Sequence, residues 1–202
     1  MFAPSVAAIT LTNFSVSQAT SLVQPSAGTR LNWQSLMTES STNNIRILDI
    51  KYGTSVDGIG LRTSLYCAGC EHHCMGCHNP QSWSEDGGEI VSVEEVFRLI
   101  VDADMNVTFT GGDPMLHPEG FIALARLIKE RTDKTIWCYT GYRFDELLRH
   151  PLRRALVELC DVVVDGKYIE AERDLSLLFR GSRNQRIIDV QKSLDGTICL
   201  IE

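Results

Sequence analysis

Four of the seven cysteines in this 202-residue chain fall within eleven residues, Cys67-Ala68-Gly69-Cys70-Glu71-His72-His73-Cys74-Met75-Gly76-Cys77. Thiolate is the soft ligand that selects zinc, copper(I) or iron–sulfur clusters. The stretch can be read two ways. As four ligands it is Cys-x2-Cys-x3-Cys-x2-Cys. As three it is Cys70-x3-Cys74-x2-Cys77, with Cys67 left over. A closed structural zinc site would use Cys67, or one of His72, His73 and His78, as its fourth ligand. Three thiolates on a cubane of four irons instead leave one iron without a protein ligand, free to bind a substrate and pass it an electron. Thiolate preference and spacing favour the iron–sulfur reading. Each histidine is then expected to be a solvated loop residue, and Cys67 a spectator thiol at a strand end. Cys138, Cys160 and Cys199 lie in apolar contexts and should pack as small hydrophobes.

A second stretch could serve the same chemistry. Gly111-Gly112-Asp113-Pro114 follows the apolar run Val107-Thr108-Phe109-Thr110. Glycine lets backbone approach a ligand closely, because no Cβ intervenes. Alone, such a pair is more often a tight turn before a helix. Beside the cysteine loop it becomes a candidate ligand site, whereas a closed zinc site would leave it without a task. On this reading Gly112→Val weakens ligand binding and spares the cluster.

These loops need a scaffold. Ile45-Arg46-Ile47-Leu48-Asp49-Ile50 alternates as a half-buried strand does, and residues 61–66 form a second strand that delivers the chain to the cysteines. Ser92-Val93-Glu94-Glu95 is a capping box opening a helix, with Val93, Val96, Phe97, Ile100 and Val101 on one apolar face. Residues 105–110 form a strand ending at the glycines. Pro118 suits a first helical position, and Phe121, Leu124, Ala125 and Ile128 give the next apolar face. A strand at 135–139 follows. Leu148, Leu152, Leu156 and Leu159 keep helical spacing, interrupted by Pro151. Asp161-Val162-Val163-Val164-Asp165 is nearly continuous and apolar, as buried parallel strands are. Residues 187–190 and 197–201 are candidate terminal strands. Strands alternating with helices predict an α/β fold with a parallel sheet. Ligands bind such sheets at the carboxyl ends of the strands, where all these loops lie.

Length fits one domain with a real core. A net charge of −7 argues against a nucleic-acid-binding surface, and no apolar run is long enough to span a membrane. Clustered cysteines in an odd number point to a reducing cytoplasm and a metal site rather than a disulfide framework. Residues 1–44 differ from the rest: 14 are Ser or Thr, and the only charges are Arg30 and Glu39. That composition predicts a disordered extension. A start at Met37 is the competing reading, and one arginine is too few for a transit peptide. The domain proper is expected over residues 45–202.

With the residues laid out, a resemblance emerges. Cys-x3-Cys-x2-Cys followed by a Gly-Gly-acid turn after a strand resembles the radical S-adenosylmethionine enzymes. Asp57-Gly58-Ile59-Gly60-Leu61-Arg62, Gly69-Cys70, and Cys77-His78-Asn79-Pro80 with Trp83 are similar to the activases of glycyl-radical enzymes. Three later stretches resemble one branch, the activating proteins of anaerobic (class III) ribonucleoside-triphosphate reductase. They are Ile136-Trp137-Cys138-Tyr139-Thr140-Gly141-Tyr142, Val164-Asp165-Gly166-Lys167-Tyr168, and Phe179-Arg180-Gly181-Ser182-Arg183-Asn184-Gln185-Arg186.

The resemblance implies a shortened, open (βα) part-barrel with a mostly parallel sheet. It implies a 4Fe-4S cluster on Cys70, Cys74 and Cys77, and S-adenosylmethionine as second cofactor. The methionine amino group would lie at Gly111 and Gly112, with Asp113 as an added acceptor. Gly76, Cys77 and His78 would touch the nucleoside, although Gly76 cannot stack on adenine. Asp57 and Arg62, otherwise a turn aspartate and a surface arginine, would shape the cluster side. The segment from Arg180 to Arg186 would either contact the reductase or order the late fold. The implied reaction is one-electron cleavage of S-adenosylmethionine, with the electron from an external donor such as flavodoxin. The resulting 5′-deoxyadenosyl radical would take a hydrogen from a glycine of the reductase. A pyruvate formate-lyase-type activase and a non-catalytic zinc-binding module are the alternatives.

Overall fold

In the computed structural model, which describes residues 43–201, the chain runs β1 (Asn44–Thr54), β2 (Arg62–Cys67), β3 (Glu89–Ser92), α1 (Val93–Ala103), β4 (Asn106–Gly111), α2 (Pro118–Arg131), β5 (Ile136–Tyr139), α3 (Phe144–Arg149), α4 (Pro151–Val157), β6 (Val162–Asp165) and β7 (Arg186–Asp189). The expected N-terminal extension and the start at Met37 lie outside the described residues, except that β1 already begins at Asn44.

All seven strands join one open sheet, in the order β3-β1-β2-β4-β5-β6-β7. The central pairs β2–β4, β4–β5 and β5–β6 are parallel. The pairs β1–β2, β1–β3 and β6–β7 are antiparallel. Parallel neighbours need crossovers, and the helices supply them. Side chains alternate across the sheet. Leu65, Val107, Phe109, Ile136, Cys138 and Val163 face the helices and form the main core with Val96, Ile100, Leu124, Ile128 and Leu156. Trp137, Val162, Val164 and Ile187 form a smaller cluster apart from it. The helices pack on one face of this open α/β sheet with a parallel centre.

Ser92 caps α1 by accepting the amide of Glu95 at 3.2 Å. Val101, expected on the buried face of that helix, is 43% exposed. Pro151 splits the leucine-spaced helix into α3 and α4, since a proline inside a helix removes a donor and clashes with the preceding turn. Residues 197–201 make an isolated bridge, Ile188 to Leu200, rather than a strand.

Arg62 is not a surface arginine: it is 1% exposed. Its guanidinium donates to Val107 O (2.6 Å), Thr108 Oγ1 (2.7 Å), Ile59 O (3.0 Å) and Thr135 O (3.0 Å). Burial lowers its pKa to about 10. It begins β2, whereas the cysteine loop follows the end of that strand, so it sutures strand starts rather than shaping the cluster side. Asp57 accepts from Ser64 Oγ (2.8 Å) and Tyr66 OH (3.3 Å), tying the preceding loop to β2.

Candidate functional site

The loops after β2, β4, β5 and β6 converge on one cleft at the carboxyl ends of the parallel strands. Cys70, Cys74 and Cys77 line it together with Gly111, Gly112 and Asp113. Thr140, Gly141, Gly166 and Tyr168 complete its walls. A larger cleft, about 600 Å³, lies beside β1 and α2 and is rimmed by Arg46, Glu85 and His117. Its only thiol is Cys67, so chemistry rather than volume identifies the site.

Backbone hydrogen bonds close the cysteine loop. Gly69 N donates to Ser82 O (2.8 Å) and Cys70 N to Trp83 O (3.2 Å). The glycine turn is sewn to the same loop: Gly112 N donates to Cys67 O and Asp113 N to Gly69 O, both at 2.8 Å. Ser82 Oγ reaches Gly111 O at 3.0 Å. A Cβ on Gly112 would overlap the Gly69 carbonyl. The glycine is therefore required by this backbone packing, whatever ligand comes near.

The thiols differ in setting. Burial pushes the Cys70 thiol up, and the amides of His72 and His73 pull it back. Burial also raises Cys74, opposed by the amide of Tyr168. Asn79 N donates to Cys77 Sγ at 3.4 Å. Amides aimed at sulfur favour its anionic form, the form that binds metal. Cys67 is buried at the end of β2, outside this cleft, and burial holds its thiol protonated. All seven cysteines are free. Cys138 and Cys160 are buried, while Cys199 is half-buried.

Among the described residues no three His, Cys, Asp or Glu side chains stand close enough to hold one metal ion. Thiolates on different corners of a cubane stand farther apart than ligands of a single ion. The indole N–H of Trp83, whose carbonyl accepts the amide of Cys70, is buried without an acceptor among the described residues. Three thiols around one cleft, with amides directed at them, fit an iron–sulfur cluster.

Asp113 departs from expectation. It is buried, and both its oxygens are engaged. Oδ1 accepts Met115 N (2.9 Å). Oδ2 accepts Thr140 Oγ1 (2.9 Å) and Gly141 N (2.9 Å), and lies 2.8 Å from His72 Nε2. It organises three loops rather than offering an open acceptor. His72, expected to be solvated, has a side chain only 5% exposed. His73 and His78 are exposed as expected.

Of the residues expected at the cofactors, Cys77, Gly111, Gly112 and Asp113 line the cleft, and Gly76 and His78 do not. Gly76 lies under Glu170 and Tyr168, and the His78 ring faces Tyr168 with centroids 5.6 Å apart. Sequence reasoning missed His72 and Tyr168 as cleft residues. The segment from Arg180 to Arg186 orders the late fold. Gln185 Oε1 accepts Gly181 N, and Gln185 Nε2 donates to Gly166 O. Asn184 donates to Lys167 O, and Arg186 pairs with the buried Asp165.

A family described as a 4Fe-4S single cluster domain matches residues 56–188. The anaerobic ribonucleoside-triphosphate reductase-activating protein of Haemophilus influenzae is 39% identical over 142 residues, 65% of this chain and 90% of that protein. The protein of the same name from Escherichia coli K12 is 35% identical over 140 residues, 64% of this chain and 89% of that protein. The crystal structure of QueE from Escherichia coli aligns with a TM-score of 0.42 at 16% identity, covering 48% of this chain and 52% of that one.

Proposed function

Because the chain belongs to the family of anaerobic ribonucleoside-triphosphate reductase-activating proteins, we propose that it generates a glycyl radical on that reductase. Cys70, Cys74 and Cys77 would hold the 4Fe-4S cluster, and Gly111 and Gly112 would receive S-adenosylmethionine beside it. Bound there, the two groups would supply one-electron cleavage of a sulfonium carbon–sulfur bond and, from it, abstraction of a hydrogen atom from a glycine Cα of the reductase. The electron comes from an external one-electron carrier such as a flavodoxin.

The chain's own residues bind and orient. Amides of His72 and His73 point at Cys70, that of Tyr168 at Cys74 and that of Asn79 at Cys77, offering hydrogen bonds to the three sulfurs. Asp113 enters as the residue that fixes the glycine turn. No general base is required, because hydrogen leaves as an atom. Free thiols throughout suit a reducing compartment such as the cytoplasm. Among the described residues no helix is long and apolar enough to cross a membrane.

The observation that most supports this reading is the meeting of the cysteine triad and the glycine turn in one cleft. The test mixes the reduced, reconstituted protein with S-adenosylmethionine and the reductase of the same genome, without oxygen. Electron paramagnetic resonance should show a glycyl doublet, and nucleoside triphosphate reduction should follow. A doublet on pyruvate formate-lyase and none on the reductase would reassign the partner.

A further inference from the structure

We infer that His72 is a positioning residue: through Asp113 it fixes the middle of the cysteine loop against the turn that takes S-adenosylmethionine. The inference rests on the reading of the cleft given above.

Three residues separate Cys70 from Cys74. Glu71 and His73 are exposed, and the His72 side chain is buried. Burying an imidazole is unfavourable unless its polar atoms find partners. His72 Nε2 lies 2.8 Å from Asp113 Oδ2. The ring has little room to swing. A Cβ on Gly141 would overlap it, and the Tyr142 ring meets it edge-on with centroids 4.4 Å apart.

The location of this bond gives it leverage. The start of the cysteine loop is held to the glycine turn by backbone, through Gly112 N to Cys67 O and Asp113 N to Gly69 O. Between the first and second proposed ligands, the hydrogen bonds to the sheet loops among the described residues come from side chains. One is Glu71, which bonds the Tyr142 hydroxyl at the exposed rim. The other is His72, in the interior. Asp113 keeps three further donors if His72 is lost, so removal should loosen the loop without unmaking the turn. A misplacement of about 1 Å costs about 10²-fold in rate. The loss should therefore appear in the coupling between the two cofactors before it appears in cluster content.

The experiment uses the full chain, reconstituted with iron and sulfide, as wild type, His72→Leu, His72→Gln and Glu71→Ala. Iron content, the resonance spectrum of the reduced cluster with and without S-adenosylmethionine, and equilibrium affinity for S-adenosylmethionine are measured together. All four proteins should hold about four irons per chain. In His72→Leu the spectral response to S-adenosylmethionine should be lost, and affinity should fall about tenfold, the order of one hydrogen bond. His72→Gln, whose amide nitrogen reaches about as far as Nε2, should restore the response, and Glu71→Ala should keep it. A wild-type response in His72→Leu overturns the inference. So does equal loss in the leucine and glutamine variants, which would make the role one of packing. Loss of iron in His72→Gln also overturns it, making His72 a ligand. If His72→Leu does not fold, His72→Asn decides, because its amide stops short of Asp113; a wild-type response there overturns the inference. Absence of any spectral response in the wild type would instead overturn the reading of the cleft.

Discussion

The carbonyl oxygen of Gly69 stands where a β-carbon on Gly112 would lie, so the glycine turn and the cysteine loop touch backbone to backbone. The expectation from sequence, that Gly112→Val weakens ligand binding and leaves the cluster alone, changes accordingly. Valine here must push Gly69, and with it the neighbouring Cys70. Cluster content and S-adenosylmethionine affinity should fall together. Iron analysis and equilibrium binding on one preparation check this; full iron with weakened binding would show that the backbone contact yields.

Replacing Cys70, Cys74 or Cys77 with alanine should abolish a reducible cluster of about four irons. Cys67→Ala should keep it, because that thiol is buried outside the cleft and held protonated. Its cost should be about 1 kcal/mol of stability, typical of a small core change. A cluster that survives Cys70→Ala and is lost in Cys67→Ala would overturn the ligand assignment.

Arg62→Leu should be among the most destabilising single changes. It takes the guanidinium donor from Val107 O, Ile59 O and Thr108 Oγ1, while Thr135 O keeps the amide of Val107. Stranded buried acceptors cost about 1–3 kcal/mol each before relaxation. A net loss of about 3 kcal/mol is expected, read by denaturant unfolding of the metal-free chain. Cluster ligation should persist in folded protein, since Arg62 lies at the far end of β2. A loss under 1 kcal/mol would mean that leucine packing compensates.

The turn around Asp174 should respond to acid. Hydrogen bonds from Ser176 side chain and amide, and then Arg183, hold the Asp174 carboxyl down to about 2. A depressed carboxyl pKa stabilises above its ordinary value of about 3.9 and loses that contribution as pH falls through the folded pKa. The Ser176 amide signal should therefore hold at pH 4 and change toward pH 2 in a nuclear magnetic resonance titration. A midpoint near 4 would show that these bonds do not persist in solution.

Much of this molecule is legible in its sequence because the relevant information is local. Ligand spacing within one loop, glycines closing a strand, Ser92 as a cap and Pro151 as a break all act over a few residues. Apolar periodicity likewise identifies which faces of α1 and α2 are buried, with Val101 as the exception at the edge of its stripe. The antiparallel edges are less legible, because a short strand such as Glu89–Ser92 carries little pattern of its own.

The sequence by itself determined the donor types, their spacing and the order of strands that carry them. Only the tertiary structure decided which polar residues are spent on one another. Arg62 reads as a surface arginine until the starts of β4 and β5 close around it. Asp113 reads as an open acceptor until His72, Thr140 and Gly141 converge on one oxygen. Glycine at 112 reads as room for a ligand until Gly69 fills that room. The physical reason is common to all three. A buried polar group must be satisfied by whatever the fold brings near it, and those partners come from loops far apart in the chain, whose pairing no local pattern records.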